Sequence, residues 1–158
     1  MTIQDYNLYT KNAFNGQVAY ASEPRTIVSG SLEDAVAEFG SALKMGAVAG
    51  GVALGHSAGN VFGVALRELN HEAFTRPSDG TTKYKSTESV SVLRQGTVNL
   101  LLTGAAASVA GTVLNVVDAS GVFTADAVAA GITASVNVVA LETAIAGSII
   151  KARIDIVA

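Results

Sequence analysis

The sequence predicts a mainly β protein: a compact sandwich or barrel of short antiparallel strands, preceded by an extended N-terminal arm. Three observations carry this. The segment Ile149–Val157 alternates cleanly, with Ile150, Ala152, Ile154 and Ile156 on one face and Lys151, Arg153 and Asp155 on the other, which is the period of a half-buried strand. Runs rich in Val, Leu and Thr flank glycine turn signals at Gln95-Gly96 and at Asp118-Ala119-Ser120-Gly121. From Gly46 to Gly63, six glycines cut the chain into runs too short for ordinary helices.

Taken in order, residues 1–25 read as an arm, because Gln4, Asn7, Asn12, Asn15 and Gln17 interleave with Ile3, Tyr6, Leu8, Tyr9, Phe14 and Tyr20. Such a segment is too polar for a core and too apolar for a free tail, so it docks on a surface, its own or a neighbour's sheet edge. Ser31–Met45 carries two signals. Ser31 followed by Glu33 and Asp34 resembles a helix N-cap, and Leu32, Val36, Phe39 and Leu43 fall near helical spacing. The same residues also alternate as a strand, and the local pattern alone favours the helix. Val52–Leu54 and Val61–Leu69 are short apolar runs, and Arg76-Pro77-Ser78-Asp79-Gly80 is a loop. Beyond it, Ser89–Leu93 and Thr97–Leu102 make a hairpin about Gln95-Gly96, and Thr112–Val117 and Val122–Thr124 make a second about residues 118–121. The expected organisation is an arm over 1–25 and one β-rich domain over 26–158, in two lobes divided by the loop near 76–82.

Composition narrows the function classes. Of 158 residues, 27 are Ala, 20 Val and 16 Gly, charged residues are 15% and mean hydropathy is +0.41. Disorder requires the opposite balance. Zero Cys removes disulfides, thiolate metal sites and a cysteine nucleophile. A net charge of −3 argues against nucleic acid, whose binders carry a basic stripe; Lys83 and Lys85 about Tyr84 are only two charges. Met45–Leu66 and Gln95–Val117 lack Asp, Glu, Lys and Arg and are long enough to span a bilayer as helices. Both are interrupted by polar residues or glycines and lack aromatic belts, so no membrane segment is expected. The N-terminus has no apolar signal-peptide core, and a soluble intracellular protein is the expectation.

One motif has catalytic form. Gly55-His56-Ser57-Ala58-Gly59 matches the nucleophile elbow G-x-S-x-G. That chemistry needs an acid and then a His base after the serine, yet only His71 follows, fourteen residues on. A small serine hydrolase acting through Ser57 is therefore the alternative, not the leading reading. His56 and His71 with Glu68 and Glu72 lack a third close donor of metal-site type, and Glu33, Asp34 and Glu38 read as a solvated face. No catalytic residue, cofactor or metal is expected.

As an ordered series the segments resemble the structural cement (capsid decoration) proteins of tailed bacteriophages. The resemblance runs through Asn15-Gly16-Gln17-Val18-Ala19-Tyr20, Ile27-Val28-Ser29-Gly30, the Phe39–Gly46 stretch and Phe62-Gly63-Val64-Ala65-Leu66. It continues with Tyr84-Lys85 leading into Ser89–Leu93, then Gly96-Thr97-Val98, Gly111–Val117, Gly121-Val122-Phe123 and Ala140–Gly147. Order and spacing carry it, since each motif is made of glycines and apolar positions. Two departures are Asn15-Gly16 where the family has Pro-Gly, and the glycine-rich 50–59 run. The resemblance implies that Phe39–Lys44 is a strand rather than part of a helix. It implies a non-enzymatic protein made in the host bacterial cytoplasm that binds the virion's capsid exterior at symmetry axes. The implied partners are the major capsid protein and further copies of itself, as a homo-oligomer expected to be a trimer, with no nucleic acid and no membrane. On that reading the arm clamps a neighbouring chain through Tyr6, Leu8, Tyr9 and Phe14, because aromatic anchors dominate interface energetics. Another virion component, such as a tail or fibre protein, is not separated from this by motifs.

Overall fold

A computed structural model describes residues 13–20, 22–68 and 83–157. Among them every regular element is a strand: β1 Thr26–Leu32, β2 Val36–Glu38, β3 Ala42–Met45, β4 Gly51–Leu54, β5 Gly63–Ala65, β6 Lys83–Lys85, β7 Ser89–Thr103, β8 Val113–Val117, β9 Phe123–Thr124, β10 Ile132–Ala140 and β11 Ile149–Ile154. The mainly β expectation holds. No helix among the described residues is long and apolar enough to cross a membrane.

The strands close into two five-stranded rings that share β7. The first ring runs β1-β4-β3-β5-β7 and closes through an antiparallel β1–β7 pairing. The second runs β7-β11-β10-β8-β9 and closes through a parallel β7–β9 pairing. Ring closure leaves few unpaired edges, which is how small β proteins avoid edge-to-edge association. β2 and β6 form a separate ribbon, in which Ala37 faces the buried Tyr84.

Fifteen residues in one strand explain the architecture. The first half of β7 pairs with β1 through Ser91↔Ser29 and Leu93↔Ile27, and with β5 through Leu93↔Val64. The second half pairs with β11 from Gly96↔Ile154 to Leu101↔Ile149. The sequence places a hairpin turn at Gln95-Gly96; the structure instead runs straight through it. Gly96 has φ +133°, a conformation that L side chains rarely adopt, and here it marks the handover of the strand from one ring to the other rather than a chain reversal. The apolar filling divides into two clusters, the larger of which also takes in Ala42, Val64 and Leu93 of the first ring. Val90 and Val92 pack with Leu32, Leu43, Val52 and Tyr84, while Val98, Leu100 and Leu102 pack with Leu114, Val116, Phe123, Val138 and Ile150. Phe39 meets Tyr84 edge-on at 5.1 Å and 77°, a geometry worth about 1 kcal/mol beyond burial. The Tyr84 hydroxyl donates to the Leu66 carbonyl at 2.5 Å, and desolvation pushes its ionisation upward.

Other local expectations fare differently. β11 buries Ile150, Ala152 and Ile154 as its alternation requires, but the strand ends at Ile154, and Ile156, expected on the same face, is exposed. The 118–121 turn forms, with Gly121 N–H donating to Val117 O at 2.8 Å between β8 and β9. The helix signal over Ser31–Met45 is overturned. This stretch holds the end of β1, β2 and β3, and Gly40 at φ +79° turns the chain between the last two. The strand implied over Phe39–Lys44 begins only at Ala42, because Phe39-Gly40 belongs to that turn. The loop near 76–82 lies outside the described residues.

Candidate functional site

The elbow motif is a hairpin turn. Ala58 (φ 49°) and Gly59 (φ 82°) are the two central residues of a tight reversal, and Ser57 and Asn60 exchange backbone hydrogen bonds at 2.9 Å in both directions. That is the two-residue loop with both central φ angles positive, which suits the twist of paired strands. Gly59 N–H donates to His56 Nδ1 at 3.0 Å, so the ring carries its hydrogen on Nε2, 2.7 Å from Asp118 Oδ1. Both ring nitrogens are thus engaged away from Ser57, and the pair fastens the hairpin of the first ring to the β8–β9 turn of the second. The hydrolase alternative gains no support from this geometry. His71 and Glu72 lie outside the described residues, and among the described residues no cluster of three metal-ligating side chains forms.

Of the three carboxylates that read as a solvated face, Glu33 and Asp34 are backbone caps and Glu38 stays exposed. Glu33 accepts from Ala47 N–H at 2.9 Å and Val48 N–H at 2.8 Å, holding the tip of the β3–β4 hairpin. Asp34 accepts from Leu54 N–H at 2.5 Å, while Glu38 pairs with Lys83 at 2.9 Å. Across the molecule, Asp126 accepts from Ala105 and Ala106 N–H at 2.9 and 2.7 Å. These backbone donors hold the Glu33 and Asp126 carboxyls below their ordinary values, and the hydrogen bond from His56 does the same for Asp118. A carboxylate depressed on folding contributes stability that is present above its unfolded value, 4.5 for Glu33 and 3.8 for Asp126, and is lost as pH falls through the lower folded value. Amide exchange at Ala47, Val48, Ala105 and Ala106, corrected for intrinsic rates, is therefore expected to quicken selectively below those values. Protection that stays constant down to about pH 2 would contradict the capping role.

Of the predicted arm anchors, only Phe14 falls within the described residues; Tyr6, Leu8 and Tyr9 lie outside them. Phe14 is 44% exposed, and the Arg67 guanidinium stands 3.8 Å from its ring centroid. The residues that follow are pinned. Asn15 Nδ2 donates to Phe39 O at 2.6 Å, and its Oδ1 accepts from Leu101 N–H at 2.9 Å. Gly16 N–H donates to Asn99 O at 2.8 Å, Asn99 N–H to Gln17 O at 2.8 Å and Ala19 N–H to Thr97 O at 2.9 Å. Residues 16–19 thus run along β7 like a short extra strand, bridged at Val18↔Val98. Gly16 has φ +77°, and a Cβ there would stand 2.7 Å from Gly40 N and 2.9 Å from Ala65 O. The family's glycine position is thus explained by close backbone approach. Phe14 and Asn15 line one cleft with Phe39, Leu101 and Ile149.

Residues that sequence reasoning passed over are the large exposed apolar side chains at loop tips and strand faces. Met45 is 71%, Val48 69%, Val128 61% and Ile145 73% exposed. Met45 and Val48 bracket the hairpin tip that Glu33 caps, so an apolar knob is held rigid by a carboxylate. The only sequence signal for it was the unbroken run of small residues after Met45. Apolar side chains presented on rigid supports, without a catalytic constellation beside them, suit contact with another macromolecule.

Comparison with known proteins agrees with that character. No protein with a curated description matches the chain in sequence. A solved structure titled "The capsid of Myoviridae Phage XM1" contains a chain of the same fold, with a TM-score of 0.66 at 14% identity, covering 97% of this chain and 98% of that one. The family model described as structural cement protein (E217 gp24/Pam3 gp6) matches residues 2–155. With all but the first residue and the last three so matched, the chain belongs to the structural cement protein family.

Proposed function

We propose that this chain works without catalysis, as an oligomer seated on the outside of a phage capsid shell, where each copy holds several major capsid subunits together. The observation that carries this is the family match over residues 2–155, which makes the chain a capsid-decorating, shell-stabilising component of the virion. Exterior placement, the trimeric state and the arm's role are our reading beyond that. Twin closed rings give a stiff body, and stiffness limits the entropy lost on docking. Several weak contacts per oligomer add through effective concentration, so no single contact has to be strong. In this reading the arm expected over residues 1–25 keeps residues 15–19 on its own β7, and its first part supplies a clamp on a neighbouring chain, with Tyr6, Leu8, Tyr9 and Phe14 as apolar anchors.

The oligomeric part is tested by the mass in solution. A trimer sediments at three times the 16.0 kDa of the chain. A single species of one-chain mass at every concentration would remove the trimer from this reading.

A further inference from the structure

We propose that the cleft between Lys44 and Arg94 is a carboxylate site, and that its occupant is an acidic side chain of the shell protein flanked by apolar residues. The cleft holds about 270 Å³ and is lined by Lys44, Arg94, Ser57, Asn60 and Phe62, with Met45 at its rim. Two cations thus line one small cleft in a chain of net charge −3. Among the described residues neither has a carboxylate within ion-pair distance. Arg94 Nε is buried and finds no hydrogen-bond partner there. A desolvated guanidinium N–H without an acceptor is costly, and a carboxylate that pairs with the same cation from the cleft offsets part of that cost.

The fork is also positioned for its ligand. The Arg94 guanidinium lies 4.3 Å from the Phe62 ring centroid, a cation–π contact that holds it against one wall of the cleft. A planar, fixed fork binds carboxylates in two-point fashion, which an ammonium alone does not do. Ser57 and Asn60, set at the base of the hairpin turn, add neutral donors to the same wall. This gives the Gly55–Gly59 motif a use unrelated to nucleophilic chemistry.

Beyond the cations the cleft continues into an apolar groove of about 510 Å³ that shares Met45 and Phe62 with it and adds Val28, Val48 and Val52. A cationic end joined to an apolar channel fits one acidic side chain with an aliphatic neighbour. The two cations and the apolar channel point to a protein segment rather than to a nucleic-acid backbone, whose repeated charge would need a longer basic track.

The identity of the occupant rests on the capsid reading, whereas the chemistry of the cleft does not, so two experiments separate them. In the first, the Arg94 Nε–H resonance is followed by NMR while sodium acetate, inorganic phosphate or an acetylated, amidated Val-Glu-Val peptide is added. The peptide is expected to saturate the shift at a concentration at least about tenfold below acetate, and Lys44→Gln to weaken it at least about fivefold. No shift with the peptide, or a tighter response to phosphate, would overturn the carboxylate assignment. In the second, wild type, Lys44→Gln and Arg94→Lys, each checked for native spectra, are bound to purified shells lacking the protein. A loss of at least about tenfold in shell affinity for Lys44→Gln supports the proposal. Wild-type affinity in both variants overturns the shell acid as occupant while decoration itself stands. Failure of wild type to bind would overturn the capsid reading and the occupant together, leaving the NMR result to stand alone.

Discussion

Replacing Asn137 by leucine is expected to cost about 3–5 kcal/mol of folding stability, a large share of what a domain of this size has. Asn137 lies in β10 of the second ring and is 6% exposed. Its Oδ1 accepts from Val61 N–H at 3.0 Å, and its Nδ2 donates to Val61 O at 2.8 Å and to Asp155 O at 2.9 Å. One side chain therefore pairs with both backbone groups of Val61, as a neighbouring strand would, and stitches the first ring to the second. Leucine has nearly the same shape and can make none of these bonds. Val61 is 1% exposed, so water cannot readily replace its two bonds, and both of its backbone groups are left unsatisfied, whereas the half-exposed Asp155 carbonyl can turn to water. Chemical denaturation of the variant measures the loss. A cost below about 1 kcal/mol would mean that the seam is held by apolar packing alone.

The second large effect concerns the shell. Deleting residues 1–14 is expected to leave a folded oligomer and to weaken capsid binding at least about tenfold, since losing a single aromatic anchor commonly costs more than that factor. Folding should survive because the pinned segment begins at Asn15, whose two amide bonds and the following ladder along β7 remain. Phe14 contributes a half-exposed ring under Arg67 and two local, exposed hydrogen bonds with Gln17. Unchanged occupancy on purified capsids would remove the arm from the binding account. An unfolded product would show instead that the arm belongs to the body.

Particular residues show how far the sequence could be read. The Ile149–Val157 alternation was legible because β11 is buried on one face only, the condition under which a period of two survives in the sequence. The 118–121 turn was legible because its glycine sits at φ +68°, a local requirement with a local signature. Gln95-Gly96 misled for the converse reason. Gly96 has the backbone freedom of a turn, yet what it serves is a strand changing partners, and partner exchange is a long-range fact. β10 alternates polar and apolar residues from Ile132 to Val138, but the faces are partly reversed: Ser135 and Asn137 are buried while Val136 is exposed, and Asn137 is there to bond across the seam. Glu33 and Asp34 looked like the start of a helix, since a carboxylate that caps a distant hairpin has the same local spelling as one that caps a helix. The ordered series of glycines gave the family, while the Lys44–Arg94 cleft required the structure, because fifty residues separate its two cations.

On the function proposed here, this chain decorates the outer face of a capsid shell and strengthens it. The most direct measurement is an electron-microscopy reconstruction of purified shells prepared without the protein, before and after its addition. New density is expected on the exterior at symmetry-related positions, fitted by the twin-ring body and touching more than one major capsid subunit. Saturating protein that adds no exterior density would contradict it.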